Sequence, residues 1–323
     1  MMFRRTESSN GEFVDYCYRT ILRREADPEG RAAFVKGLGN RSLDRAGVMK
    51  AFLESDEYRL ASRENAQLKG YLQQLIFGDV SLLTEQTLPD GIADDGIPYP
   101  AGVLRYLVAG TERLGWFVEA GQLGARTVVD LLARNGIPPE RRRRVLDFGC
   151  GCGRVLRHLR GEPSIELFGT DCNLPAIAWC RRHLGFASFE VNQLAPPLAY
   201  GPGSFDLVYA FSVFTHLTEG LQQPWMDEMR RVLAPGGHLI VSVHGDVFLE
   251  KNPGTLAGAD LETYRRGGLV VKVGDLVGSN YCNAFHPERY LRERLAADFD
   301  VVDFLPGGAR GNPPQDAYLL RKK

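Results

Sequence analysis

Two kinds of hydrophobic spacing divide the chain. In residues 11–60, Val14, Tyr18, Ile21 and Leu22 recur at helical intervals, the mark of one buried stripe on an amphipathic helix. Asp27-Pro28 reads as the start of a second helix, with Asp27 as cap and proline at the first position, where its missing N–H costs nothing. Phe34, Val35 and Leu38 form the apolar face of that helix, Gly39-Asn40 ends it, and Ser42 and Ser55 are candidate caps of further helices. From residue 145 the period changes. Short, nearly continuous apolar runs (VLDFG, IELFGTD, FEVNQL, FDLVYAFSV, HLIVSV) alternate with helical patterns such as 176–184 and 221–233. Apolar strands separated by helices predict a mostly parallel sheet covered on both faces. The last two strands, 299–305 and 317–322, are joined by PGGARGNPPQD; no helix fits there, so they are expected to pair antiparallel.

Between these zones, residues 61–100 hold a short helix candidate at 68–77 and the irregular segment LPDGIADDGIPYPAG, with Asp90, Asp94 and Asp95 facing water. The domain boundary is expected here. Residues 101–140 read as helical cover ahead of the first strand, so the second domain runs over 101–323. The segment 245–285 exceeds a plain strand-to-helix connection and carries Phe248, Tyr264, Tyr281 and a small strand candidate at 269–273. An insertion at this place is where acceptor selectivity would be built; its aromatic residues stack on a sugar face or form its own core.

Thirty-nine basic side chains against forty acidic ones leave a net charge of −1, which provides no general attraction for nucleic acid or anionic lipid. No run approaches the ~18 apolar residues of a membrane span. Six cysteines are too sparse for a disulfide scaffold, and Cys150 and Cys152, one residue apart, lack the usual spacing of a zinc site. A reducing cytoplasm is the expected location, with no resident metal.

The sharpest chemical signal is VLDFGCGCGRVLRHL. A buried strand delivers Asp147, and Gly149, Gly151 and Gly153 make a turn that lets a ligand approach the backbone. A helix is expected to start at once, presenting free amides. Asp171 ends the second strand, where a carboxylate accepts both hydroxyls of a ribose. The dinucleotide fingerprint wants glycine at its sixth position, which here is Arg154. Asp147 would also repel a pyrophosphate and hold an ammonium. The combination points to S-adenosylmethionine rather than NAD. Arg154 reads either as a partner for the ligand carboxylate or as a solvated side chain.

Residues 145–323, through VLDFGCGCGR, LFGTD, FDLVYAFSVFTHL and MRRVLAPGGHLIVSV, resemble the class I S-adenosylmethionine-dependent methyltransferases. The resemblance implies a doubly wound α/β sheet of seven strands in order 3-2-1-4-5-7-6, the seventh antiparallel, with S-adenosylhomocysteine as product. It also implies that Gln193 takes the place where an acidic residue often accepts the adenine N6 hydrogens. Residues 11–60 resemble a small phycobilisome-linker-like helical domain of unknown function, through Tyr18, Arg24, Asp27, Pro28, Gly30, Ser55 and Glu57 among others. This implies a docking or scaffolding unit with a protein partner.

Ligands of open parallel sheets bind beyond the carboxyl ends of the strands. That rim receives His216, His244 and His286, and the start of the antiparallel strand brings Gln315 and Asp316 there. For an aliphatic hydroxyl acceptor, such as a sugar of a surface glycan or its precursor, His244 or His216 is the expected base, with His286 or Asp316 orienting the acceptor. The competing readings are a non-catalytic scaffold with a vestigial methyltransferase fold and an NAD-dependent oxidoreductase.

Overall fold

The computed structural model describes residues 113–161, 165–272 and 282–323 without interruption, and before them residues 24–43, 96–111 and separate positions within 10–22, 47–57 and 91–93. The chain forms two compact units, residues 1–112 and 113–323. The helical cover expected at 101–140 is divided between them. The expected helix at 68–77 and the residues Asp90, Asp94 and Asp95 lie outside the described residues.

In the first unit, helix α1 (Pro28–Gly39) begins as its sequence predicts: the Asp27 carboxylate accepts from Gly30 N at 2.7 Å, and Asn40 closes the other end. Phe52 is buried, edge-on to Tyr18 and stacked on Phe34. Arg24 joins the resemblance-bearing positions: it pairs with Glu57 at 2.6 Å and Asp27 at 3.3 Å and lies over the Tyr18 ring. The hydroxyls of Ser42 and Ser55 donate back to Gly37 O and Phe52 O, closing the turns that precede them, while residues 44–46, 56 and 58, where caps of following helices would be read, lie outside the described residues. Helix α2 (Gly102–Ala109) is the last helix of this unit.

The second unit opens with helix α3 (Leu114–Arg134). Its sheet is built from β1 (Arg144–Phe148), β2 (Glu166–Asp171), β3 (Ala187–Val191), β4 (Phe205–Ala210) and β5 (Leu233–Val243), with α4 (Leu174–His183) and α5 (Glu219–Val232) as crossovers. The insertion after β5 contains α6 (Asp246–Lys251), α7 (Gly258–Arg265), β6 (Val270–Lys272) and β7 (Asn283–Phe285), and β8 (Phe299–Leu305) and β9 (Asp316–Lys322) complete the sheet. The order is β3-β2-β1-β4-β5-β9-β8, which is 3-2-1-4-5-7-6 when only this sheet is counted, and β9 is antiparallel to both neighbours. The expected α/β architecture is therefore present. Its apolar strands hold because both faces are covered: Leu146, Val208, Leu239 and Val241 pack with Trp225 and Met229 of α5 and with Tyr318 and Leu320 of β9.

One local expectation fails. After Gly153 the chain forms turns and a single 3₁₀ turn, Leu156–His158, instead of an α-helix. Gly161, at φ +110°, ends the segment after about two turns, too short to repay helix nucleation. Free amides at a helix terminus thus play no part beside the glycine turn. In the insertion, β6 pairs antiparallel with β7. Leu256, Tyr264, Val270 and Phe285 form a small core with Phe248 against it, so these aromatic residues serve the insertion's own packing. Tyr281 lies outside the described residues. Among the described residues no helix is long and apolar enough to cross a membrane.

Candidate active site

The parallel register fixes the first half of the site. Asp147 on β1 lies opposite Tyr209 on β4, and the Tyr209 hydroxyl donates to Asp147 Oδ2 at 2.8 Å. Asp147 is only 4% exposed. Burial pushes its carboxyl up to about 7; the Tyr209 hydrogen bond and the Arg154 charge pull the other way, while Asp171 adds to the rise. The chain then passes through Gly149, Gly151 and Gly153 at φ +81°, +53° and +69°, a backbone that side chains with Cβ rarely adopt. At Gly149 space is also lacking, since a Cβ there would stand 2.3 Å from Val213 Cγ2.

Asp171 closes this turn from the end of β2. Its Oδ2 accepts from Gly151 N at 2.8 Å and its Oδ1 from Asn173 N at 2.7 Å. The residue that caps α4 is Asn173, whose side chain accepts from Ala176 N. The Asp171 carboxylate is thus aimed at the glycine turn, half-buried, and each oxygen keeps capacity for another hydrogen bond. Burial raises its carboxyl above the ordinary range, against the lowering effect of these N–H groups.

The second half of the site follows β4. Ser212 sits at φ +57°, a strained position for a side-chain-bearing residue, and Val213 next to it touches Gly149 in the sense that no Cβ fits between them. Ser212 N donates to Ser242 Oγ, and Gln315 gathers both hydroxyls: its Oε1 accepts from Ser242 at 2.7 Å and from Ser212 at 3.0 Å. Gln315 Nε2 lies 3.2 Å from His244 Nε2, which therefore acts as acceptor. The three histidines are neighbours in this group, but their rings differ. His244 is buried against Phe248, and burial together with the charges of His216 and His286 pushes it down to about 3. His286 is fully buried and donates from Nε2 to Gln222 Oε1 at 2.8 Å; burial likewise takes it down to about 3. His216 is half-buried, and its Nδ1 lies 2.7 Å from the Cys282 carbonyl, so Nδ1 carries the proton and Nε2 keeps its lone pair. Burial lowers its pKa, opposed by that hydrogen bond.

The other nominated residues stand as follows. Gln193 is exposed beyond β3, next to Asn192, whose side chain joins Thr170 Oγ1. Arg154 is half-buried, donates to Gly311 O at 2.8 Å and Asn312 Oδ1 at 2.9 Å, and lies over the Trp116 ring. Burial brings its guanidinium down to about 10. Asp316 is buried and accepts from Gly307 N at 2.7 Å, closing the β8–β9 loop; burial raises its carboxyl, and Asp246, Glu288 and Glu250 add to that. Tyr209, Ser212 and Ser242 were not nominated from the sequence. A lone tyrosine in an apolar strand, FDLVYAF, was the one available signal for the first of them.

A buried acid thus leads into a three-glycine bend that a second acid closes. Residues 145–237 match the methyltransferase domain family. Residues 2–61 match a domain of unknown function, DUF4214. Ajmaline N-methyltransferase of Rauvolfia serpentina is 26% identical over 156 residues, 46% of this chain and 53% of that protein. Demethylmenaquinone methyltransferase of Thermus thermophilus is 33% identical over 103 residues, 31% of this chain and 46% of that protein. A crystal structure of a SAM-dependent methyltransferase from Methanosarcina mazei aligns at 20% identity and a TM-score of 0.45, covering 59% of this chain and 96% of the other. The chain spans about half the length of the curated relatives it matches.

Proposed function

We propose that residues 113–323 bind S-adenosylmethionine at the β1–β2 turn and transfer its methyl group to a small-molecule or glycan acceptor. The observation that carries this reading is Asp147: a buried carboxylate with a neutral phenol as its partner, at the head of a bend only glycines can make. An ammonium group beside it supplies the missing charge. Asp171 accepts the ribose hydroxyls with the lone pairs left over from Gly151 and Asn173, and Gln193 offers its amide oxygen to the adenine amine. Arg154 can turn to the ligand carboxylate only by releasing Gly311 and Asn312.

The bound cofactor supplies a methyl group on a sulfonium, whose leaving thioether needs no acid. The chain must align the acceptor, exclude water and remove a proton. For the proton we select His216, because Nε2 is unprotonated and it is the one of the three that is not fully buried. His244 has its Nε2 engaged by Gln315 and His286 is sealed against Gln222, so they tie neighbouring segments together. A neutral histidine base suits a hydroxyl, such as that of a sugar in a surface glycan or its precursor. Residues 11–60 serve as a docking unit for a protein partner, the role the linker-like resemblance implies.

Titration calorimetry of the purified chain with S-adenosylhomocysteine tests the cofactor site. Binding is expected, and Asp171→Ala should weaken it at least about thirtyfold through loss of two charge-assisted hydrogen bonds. Unchanged affinity in that variant removes the ribose contact. Binding of NAD with none of S-adenosylhomocysteine would reverse the reading, whereas binding of neither leaves the scaffold.

A further inference from the structure

Tyr209 is fully buried in β4, and the strand register, rather than any loop, sets it opposite Asp147. The titratable groups facing the Asp147 carboxylate are few. Arg154 approaches from the segment after the turn, Asp171 from the end of β2 and Cys150 from the turn itself. Arg154 acts at a distance, because its guanidinium is hydrogen-bonded to Gly311 and Asn312. Asp171 carries the same sign as Asp147, and burial keeps the Cys150 thiol protonated. Among the described residues, the Tyr209 hydroxyl is thus the one hydrogen-bond donor to this side chain. A phenol so placed fixes the plane of a carboxylate and stabilises its ionised form.

We propose that Tyr209 is a positioning residue for the cofactor's cationic end: by donating to Oδ2 it orients Asp147, keeps it ionised with Oδ1 free to accept the ammonium, and so sets the lower pH limit of cofactor binding. The inference rests on the S-adenosylmethionine reading given above. A protonated Asp147 offers an ammonium no charge, so affinity must fall as the pH drops through the titration of this residue. Removing the phenol hydroxyl moves that titration upward, while the ring still fills its place in the sheet.

The test is the dissociation constant for S-adenosylhomocysteine between pH 5.5 and 9, measured on the full chain and on its Tyr209→Phe and Asp147→Asn variants. 5′-Methylthioadenosine, which has the nucleoside but no ammonium, serves as the second probe. In Tyr209→Phe the midpoint should rise by about one pH unit, giving roughly tenfold weaker binding near pH 6.5 and binding within about twofold of wild type at pH 9. The 5′-methylthioadenosine affinity should stay the same in both proteins at every pH. Asp147→Asn should lose the step. If the phenylalanine variant does not fold, 3-fluorotyrosine at 209, isosteric and a stronger donor, should shift the midpoint downward. An unmoved midpoint in whichever of these proteins folds makes Tyr209 a packing residue and overturns the proposal. A wild-type chain that binds neither probe fails earlier, at the cofactor reading itself.

Discussion

At Gly149 two constraints meet: φ of +81° and the Val213 side chain, which would stand only 2.3 Å from an added Cβ. Gly149→Ala should therefore cost about 2 kcal/mol or more of stability, and Val213→Ala in the same chain should recover only the steric part. Urea unfolding of the single and double variants separates the two contributions; full recovery in the double would show that the backbone conformation is not strained. Among the histidines, the proton inventory makes an equally specific expectation. His216→Ala should lower turnover about 10²–10⁴-fold with S-adenosylhomocysteine affinity within a few fold, whereas His244→Gln should act mainly on stability. Wild-type turnover should rise with pH through a midpoint below about 6.5, since burial depresses His216. Near-normal turnover in His216→Ala would remove it as base. The bend after Asp147 was legible because a backbone of repeated positive φ demands glycine at fixed spacing. Choosing between His216 and His244 was not, since a ring's proton and exposure depend on Cys282 and Gln315, residues distant in the chain.

Among the elements, the β8–β9 loop shows how a short connection is held. Asp316 takes Gly307 N, Arg154 takes Gly311 O and Asn312 Oδ1, and Gly311 comes so close to Ala120 that a Cβ there would stand 2.1 Å from its carbonyl oxygen. Arg154→Ala removes the outer fastening. Amide hydrogen exchange in 307–315 should then accelerate by about tenfold or more, with β1 and β4 amides unchanged; no acceleration would show that the loop holds without the guanidinium. In the first unit, Asp27→Ala should destabilise α1 and speed exchange in its first turn, as expected for loss of an N-cap. Strand boundaries were read unevenly: the expected strand at 299–305 is β8 residue for residue, whereas FEVNQL overruns β3 by three residues and β5 begins five residues before HLIVSV. The missing helix after Gly153 was misread because start signals were weighed without the room that Gly161 leaves.

For the whole molecule, buried ionisable groups set how stability depends on pH. His244 and His286 are held near 3 in the fold and return to about 6.5 when it unfolds, so the unfolded chain binds more protons between those values and stability falls as pH drops from about 6.5. Asp147 works the other way. Its folded pKa of about 7 exceeds the unfolded value, so its favourable contribution is complete below about 4 and is lost as pH rises through 7. Stability of the ligand-free second unit should thus rise from pH 5 to about 6.5, where the two histidines outweigh the one carboxyl, and level off above about 7. Urea midpoints from pH 5 to 8.5 test this: His286→Asn should flatten the rise and Asp147→Asn should steepen it. A rise altered in neither variant would show these groups to be solvated.

The sequence by itself determined the alternation of strands and helices, the antiparallel pairing of the last two strands and the acid–glycine–acid signature, while the strand order was implied by the resemblance its motifs carry. Each of these is written in short stretches where spacing and residue type translate directly into backbone geometry. Tertiary structure alone decided which partner each buried polar group received. Tyr209 reaches Asp147 across 62 residues, and Gln315 reaches Ser212 across 103, because adjacent strands in a crossed-over sheet come from distant parts of the chain. Charge state, tautomer and exposure follow from those meetings, and no local pattern encodes them.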